Sequence, residues 1–473
     1  MVSVATIRRT SASPLAIGVL LFTASCGGGD GSTPTPTPTN RAPVFTSATT
    51  ASVIENSTGT AYTPAATDAD NDTVTITISG GADAAAFTMT GGTLAFASPP
   101  NFDRPTDMNT DNSYDVTLAA TDGKGGTAAL NLSIKISNDH EGVNLTRVAS
   151  GFGTDAVIAP RTRTSGLLIV SQDGTVRTVE AVTGAIGNAG NVFSSGETGR
   201  VLAVTYSNGY GVAMLDIAGR GVIVRSVLLP DSPQQYTVEQ TLAAPSTSSP
   251  RGAFFVGGDG FVFAALGDPA GDLAQEAGSG YGKFFRIQVD PYCGASLFTY
   301  CVGAERFGDG VHAPAGGGGF QGLSFLLDRG TDQQEEISYF NQNARPIDFG
   351  WPYREGTYER VANPPPAIIG PSLTYSHGDG FFAGKGLTGG ALYTGSIASL
   401  ANKVLVTDEG GKIFAFPASF LSDGVLHRAN EMENRTADFA PTTGAIGRPI
   451  AVIRDYAGRL FILDGDGELY GAS

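Results

Sequence analysis

The chain has 473 residues, with 29 basic and 45 acidic side chains and a formal net charge of −16. Such a surface repels phosphate backbones, so nucleic acid is excluded as a partner, and cations and neutral ligands such as sugars are favoured. Glycine (65) and proline (26) are abundant without any three-residue period, and apolar residues reach 41 %; collagen and wholesale disorder are excluded, and the lack of long Leu/Lys/Glu stretches points to an all-β protein with packed cores.

In chain order, residues 1–26 read as an export signal. Arg8 and Arg9 precede an apolar run, Pro14 to Ala24, that is too short to span a bilayer. The run leads into Thr23-Ala24-Ser25-Cys26, which resembles a bacterial lipobox with Thr23 where leucine is usual. That resemblance implies a lipid on Cys26. Gly27 after it implies sorting to the outer membrane, facing the periplasm or the cell surface. An ordinary cleaved signal peptide is the alternative, and both place the mature chain outside the cytoplasm. Residues 27–41 (GGGDGSTPTPTPTNR) form a tether, extending about 3 Å per residue where the Thr-Pro repeats adopt polyproline geometry.

Residues 42–140 alternate apolar and polar positions in short runs: TVTITIS (73–79), DVTLAAT (115–121) and ALNLSIKIS (129–137), separated by Gly/Asp/Asn turns. Turn-punctuated alternation of this kind predicts a β-sandwich of about seven strands. Residues 141–473 repeat a different unit, strand–(Asp/Gly)-Gly–strand, as in GLLIVSQDGTVRTV, AFFVGGDGFVFAAL, KVLVTDEGGKIFAF and AVIRDYAGRLFILDGDGELYG. Hairpins recurring over this length predict a β-propeller, with room for six blades of about 55 residues. Cys293 and Cys301 have seven residues between them. In an exported chain they can close a short disulfide loop or remain free thiols.

Several pieces of residues 42–140 together resemble a bacterial cadherin-like domain: APVF (42–45), IENSTGT (54–60), ATDADNDT (66–73), GGADAAAF (80–87), PNFDRP (100–105), NSYDVTLAATDG (112–123) and ISND (136–139). The resemblance implies calcium, which takes several oxygen ligands at about 2.4 Å. On the family pattern Glu55, Asp68, Asp70 and Asp103 are the calcium-holding positions. Asn101 stands where an aspartate is usual, the acidic part of the preceding linker is replaced by Thr and Pro, and no second repeat is present to complete a shared site. A separate loop, DMNTDN, alternates Asp107, Asn109 and Asp111 like a calcium loop. The plainer reading is that these side chains cap turns.

Residues 144–473 resemble the soluble quinoprotein glucose/sorbosone dehydrogenases, six-bladed propellers that oxidise sugar hydroxyls with pyrroloquinoline quinone. The matching pieces occur in order: GETG (196–199), GGDGFVFAALGD (257–268), GKFFRI (282–287), FQGLSF (320–325), DRGTDQQEEI (328–337), DFGWPYREG (348–356), LTYSH (373–377) and TGGALYTG (388–395). The catalytic pattern is altered. The family's base is a His in Asn-His-x-x-Gly, and Ser249 takes its place in Ser248-Ser249-Pro250-Arg251-Gly252. A serine hydroxyl is no base near neutral pH without its own activator. The Arg-Asn-Pro that precedes the family's Gln-Gly-Leu is replaced by Gly318-Gly319-Phe320 before Gln321-Gly322-Leu323, and the stretch from Phe325 to Asp328 is short enough to cost a strand. Gln321, Gly322, Arg448 and Lys412 remain as cofactor-side residues, and His312 is the candidate for a relocated base.

Two function classes follow. In the first, a cell-envelope lipoprotein carries a calcium-binding cadherin-like module and a propeller that has lost catalysis and binds sugars, glycans or neighbouring cell-surface proteins. In the second, the propeller is a working quinone-dependent sugar dehydrogenase with relocated groups.

Overall fold

The computed structural model describes residues 39–161, 166–207, 210–227, 229, 239–247, 249–258, 260–290, 301–320, 322–341, 343, 347–365 and 367–473. Cys26, Cys293, the Cys301 side chain and Gln321 lie outside the described residues. Among the described residues all regular structure is strand or short 3-10 turn, and no helix is long and apolar enough to cross a membrane.

The first module has two main sheets around one core, besides a short two-stranded pair of Val44–Phe45 with Ala66–Thr67. A four-stranded sheet is ordered Thr50–Ile54, Thr127–Ser137, Ser113–Thr121, Thr75–Gly80, and a three-stranded sheet Thr60–Tyr62, Thr93–Phe96, Phe87–Thr90. The alternation read from the sequence is the alternation of burial. Tyr114, Val116, Leu118 and Ala120 point inward from one strand, and Leu130, Leu132, Ile134 and Ile136 from its partner, while their neighbours face outward. Phe87, Phe96 and Tyr114 pack mutually across the two sheets.

The second module is a six-bladed propeller. The inner strands Val157–Pro160, Gly199–Ser207, Gly252–Val256, Pro314–Phe320, Leu387–Leu392 and Pro449–Arg454 each begin one sheet, and each touches the next around a closed ring. The ring is fastened by the ends of the module. Leu145–Ala149 pairs antiparallel with Leu469–Ala472 and supplies the outer strand of blade six. The second strand of each blade is apolar at nearly every position because both of its faces are covered. In blade one, Leu168 and Val170 pack towards blade two, whereas Leu167 and Ile169 pack towards blade six. Six such cores, one per blade boundary, hold the ring.

Blade four corrects one expectation. Pro314–Phe320 is a complete inner strand and Leu323–Asp328 a complete second strand, each paired along its length, so no strand has been lost. Four consecutive glycines carry no alternation that would mark a strand, which hides Pro314–Phe320 in the sequence.

The modules meet through the linker and the 435–442 segment. Asn434 N donates to Asp103 O at 2.8 Å, Ser399 Oγ to Glu141 O at 2.8 Å, and Asn56 Nδ2 to Glu141 Oε1 at 2.7 Å. Beside them lies a cleft of about 500 Å³ lined by Arg104, Asp107, Phe382 and Phe420, among others.

Candidate functional site

One mouth of the propeller collects the starts of the inner strands and the turns joining second to third strands. An aspartate closing the second strand holds the inner strand's start in three blades. Asp328 accepts from His312 N (2.8 Å) and Ala313 N (2.6 Å), Asp408 from Lys385 N (2.8 Å) and Gly386 N (2.9 Å), and Asp464 from Arg448 N (2.7 Å). All three aspartates are buried, and carboxylates bonded to backbone N–H groups are rigid supports. This geometry places the residue just before each inner strand at the mouth.

Three arginines stand there. Arg448 Nη2 pairs with Asp155 Oδ1 at 2.6 Å, and Arg329 Nη1 with Glu409 Oε2 at 2.5 Å. Glycines make room for both guanidinium groups. A Cβ on Gly386, whose φ is +145°, would stand 2.3 Å from Arg329 Cζ, and one on Gly465 2.4 Å from Arg448 Nη2. Arg251 directly precedes Gly252–Val256 and is open to solvent. Crowding protein atoms lower its pKa from the usual arginine range, as does the charge of Arg329, while Glu409, Glu335 and Asp155 oppose the shift. Among the described residues nothing bonds its guanidinium. The Arg448–Asp155 pair is itself exposed, so it contributes little stability.

The expected chemistry is distributed otherwise. Ser249 lies exposed two residues before Arg251. His312 is buried; its ring packs on Trp351 with centroids 4.0 Å apart, its Nδ1 meets Arg329 O and its Nε2 lies 3.3 Å from Thr331 Oγ1. It and Arg448 share no partner. Trp351 is core, donating Nε1 to Asp268 O at 2.7 Å. Lys412 is spent on a loop, donating to Gly380 O and Ala383 O at 2.5 Å each. Gly322 sits in the hairpin after Pro314–Phe320, at the far end of that strand from His312 and the mouth, which removes it from the cofactor side. Glu335 and His377 form a mouth-side dyad: His377 Nε2 bonds Glu335 Oε1, and Glu335 Oε2 accepts from Leu387 N at 2.8 Å. The hydrogen bond to Glu335 raises the His377 pKa, and burial raises that of Glu335. Glu335 is fully buried, and its two bonds fix the imidazole against the start of strand Leu387–Leu392.

The calcium candidates separate into groups. Asp68 Oδ1 caps Asp70 N at 2.8 Å, Asp70 pairs with Arg41 at 2.7 Å and Asp72 with Lys124 at 2.6 Å. This group lies at the tether end of the first module, while Glu55 and Asp103 lie at the propeller end, where they approach Asp438. The DMNTDN loop closes on itself: Asp107 Oδ2 accepts from Asp111 N (2.9 Å) and Asp111 Oδ2 from Asn109 Nδ2 (2.8 Å). Asn101 Oδ1 caps Arg104 N at 2.6 Å.

Arg251, Arg329, Glu409, Asp155 and Asp438 were not foreseen. For the mouth residues a signal existed, because each lies directly beside a strand end, but it is readable only once the strands are assigned to blades.

No protein-family profile matches the chain, and no curated protein does. Solved structures do. The soluble aldose sugar dehydrogenase of Escherichia coli in its apo form aligns over 70 % of this chain and 99 % of its own, at 18 % identity and a TM-score of 0.50. Two glucose dehydrogenases align over 69 % and 70 % of this chain and 99 % of theirs, at 18 % and 17 % identity and TM-scores of 0.52. The second module thus has the propeller fold of soluble sugar dehydrogenases.

Proposed function

We propose that this protein is a sugar-binding protein of the cell envelope. In this reading a lipid on Cys26 and the 27–41 tether hold a cadherin-like, calcium-binding sandwich, which presents a propeller of the sugar-dehydrogenase kind. The propeller mouth binds an anionic saccharide and does not oxidise it. One observation carries the loss of catalysis: none of the four histidines is a free base at the mouth. His312 is buried on Trp351, and His377 has its Nε2 engaged by Glu335. His427 lies between Asp423 and Glu431, each at 2.9 Å, and His140 meets Asp438 O at 3.3 Å. Proton abstraction from a sugar hydroxyl needs a basic group within hydrogen-bond reach. The preference for an anion rests on Arg251, Arg329 and Arg448, and the preference for a saccharide on the dehydrogenase-like fold.

Pyrroloquinoline quinone is the cofactor the family resemblance implies. The three arginines suit its carboxylates, and when bound it would supply a hydride acceptor. The second reading, an active dehydrogenase, is favoured by the Glu335–His377 dyad, the one imidazole at the mouth with a carboxylate to orient it.

Calorimetric titration of the mature chain with oligouronates, and dye reduction with aldoses in the presence of calcium and the quinone, decide between the two. Micromolar saccharide binding without dye reduction is expected. Sugar-dependent dye reduction that His377→Ala abolishes would overturn the binding reading in favour of the enzyme. Neither binding nor turnover would overturn both.

A further inference from the structure

The cleft beside the junction has walls from both modules. The sandwich supplies Arg104 and Asp107, and the propeller supplies Phe382, Phe420, Asn430 and Glu431. Its volume of about 500 Å³ is that of a small-molecule site, and such sites combine apolar rings with a few placed polar groups. Three hydrogen bonds fix the sandwich wall. Asn101 Oδ1 accepts from Arg104 N at 2.6 Å, Phe102 O from Asn112 Nδ2 at 2.9 Å and Tyr114 Oη from Thr106 N at 3.0 Å. On the propeller wall Phe420 stacks on His427, with centroids 3.6 Å apart and an interplanar angle of 4°, and His427 is held between Asp423 and Glu431. Asn434 Nδ2 donates to Phe381 O at 2.8 Å, and the Phe381 ring meets Phe382 edge-on at 4.9 Å. Walls held in this way keep their shape before a ligand arrives, which lowers the cost of binding.

The groups left unused by these walls select the ligand. Arg104 and Asn430 are exposed, and among the described residues no hydrogen bond engages the Arg104 guanidinium or the Asn430 amide. The amide both donates and accepts, and the guanidinium only donates. Phe382 and Phe420 are half-buried, so each keeps some ring surface open. The hydrogen bond with His427 lowers the Glu431 pKa, and the charge of Arg104 lowers it further, so the sandwich's cation stands within electrostatic reach of the propeller's acid. With Asp107 and Glu431 beside Arg104, the cleft lacks the surplus of positive charge that an anion needs, and Arg104 opposes a cation. An acyl chain would cover the rings and leave the amide and the guanidinium desolvated without partners. A sugar ring offers an apolar C–H face to the phenyl rings and a rim of hydroxyls to the polar pair.

We propose that the cleft between the modules binds a neutral saccharide chain, with Phe382 and Phe420 against its sugar faces and Arg104 and Asn430 on its hydroxyls. Arg104 belongs to the sandwich and Asn430 to the propeller, so one chain is gripped by both modules. None of the mouth arginines lines this cleft. It is a second site, separate from the mouth and of different charge preference.

The test is calorimetric titration of the mature protein with cellohexaose, mannohexaose, xylohexaose and maltohexaose, for wild type, Asn430→Ala, Arg104→Ala, Phe382→Ala and Arg251→Gln. At least one hexasaccharide is expected to bind wild type and Arg251→Gln alike, several-fold more weakly to Asn430→Ala and Arg104→Ala, and tenfold or more weakly to Phe382→Ala. That saccharide is also expected to slow proteolysis of the 138–144 linker, because it bridges the modules. If Phe382→Ala does not fold, the two exposed positions decide the matter. A hexasaccharide that ignores the cleft changes and is weakened by Arg251→Gln sits at the mouth, which overturns the cleft site and spares the mouth. No hexasaccharide bound by wild type overturns the cleft's saccharide, while oligouronate binding still reads the mouth separately. A pooled peptide library that binds in its place, with the same dependence on Asn430 and Phe382, overturns the saccharide in favour of a peptide.

Discussion

The two modules bury their strands in different ways. In the sandwich, Val116, Leu118 and Ala120 face one core while the residues between them are half-open or exposed. In the propeller, Leu167 to Val170 are all buried, odd and even positions serving different boundaries. The sandwich is one core that either holds or fails. The propeller is a ring of six cores, each depending on the neighbour that closes it, with blade six assembled from both ends of the module. The chain ends fasten this ring in blade six, and Arg251 and Arg448 stand where inner strands begin.

The junction between the modules is the place to break this comparison most sharply. Arg435→Met removes the cation that pairs with Asp103, Glu141 and Asp438 and is expected to cost about 3–5 kcal/mol. Calorimetric unfolding should show both modules weakened together. Within the ring, Leu463→Ala opens a cavity in the core between blades six and one, at an expected cost of about 2–5 kcal/mol. Leu118→Ala should cost a similar amount in the sandwich. If the modules are energetically separate apart from the junction, each change shifts its own transition in a thermal scan and leaves the other within a degree or two.

A smaller effect is expected on the acid side. Hydrogen bonds from Arg225, with help from Ser194 N and Arg220, lower the Glu197 pKa from its ordinary 4.5 to about 2. A carboxylate with a depressed pKa stabilises the fold above its unfolded value and loses that contribution as pH falls through its folded value. The propeller should therefore lose on the order of 2 kcal/mol between about pH 4.5 and pH 2 through this group, allowing for its partial exposure. Denaturant titrations of Glu197→Gln across that window should show a correspondingly flatter loss. The smallest effect on stability belongs to Arg251. Arg251 has no bonded partner among the described residues, so Arg251→Gln should change stability by no more than about 0.5 kcal/mol. Affinity for an anionic saccharide should fall tenfold or more. A stability loss of several kcal/mol would show instead that Arg251 is structural.

Much of the architecture was legible in the residues. Alternation located Ser113–Thr121 and Thr127–Ser137, and the Asp-Gly hairpins located blade one's Gly166–Val170 with Thr175–Glu180 and blade five's Lys403–Asp408 with Ile413–Pro417. Strand and turn preferences act over a few residues, so a short window of sequence contains their causes. The glycine run at 316–319 failed because it forms a strand without the pattern of one.

The candidate sites were legible only in part. His312 and Lys412 carry the right chemistry at plausible positions, yet Trp351 and two loop carbonyls claim them. Arg251, Arg329 and Arg448 are brought together from three blades, and Asp103 meets Asp438 across more than three hundred residues of chain. The strands, turns and motifs were written locally. The meeting of the mouth arginines, and of Asp103 with Asp438, was set by ring closure and by the seating of the sandwich, because charges separated in sequence interact only through the distances that packing imposes.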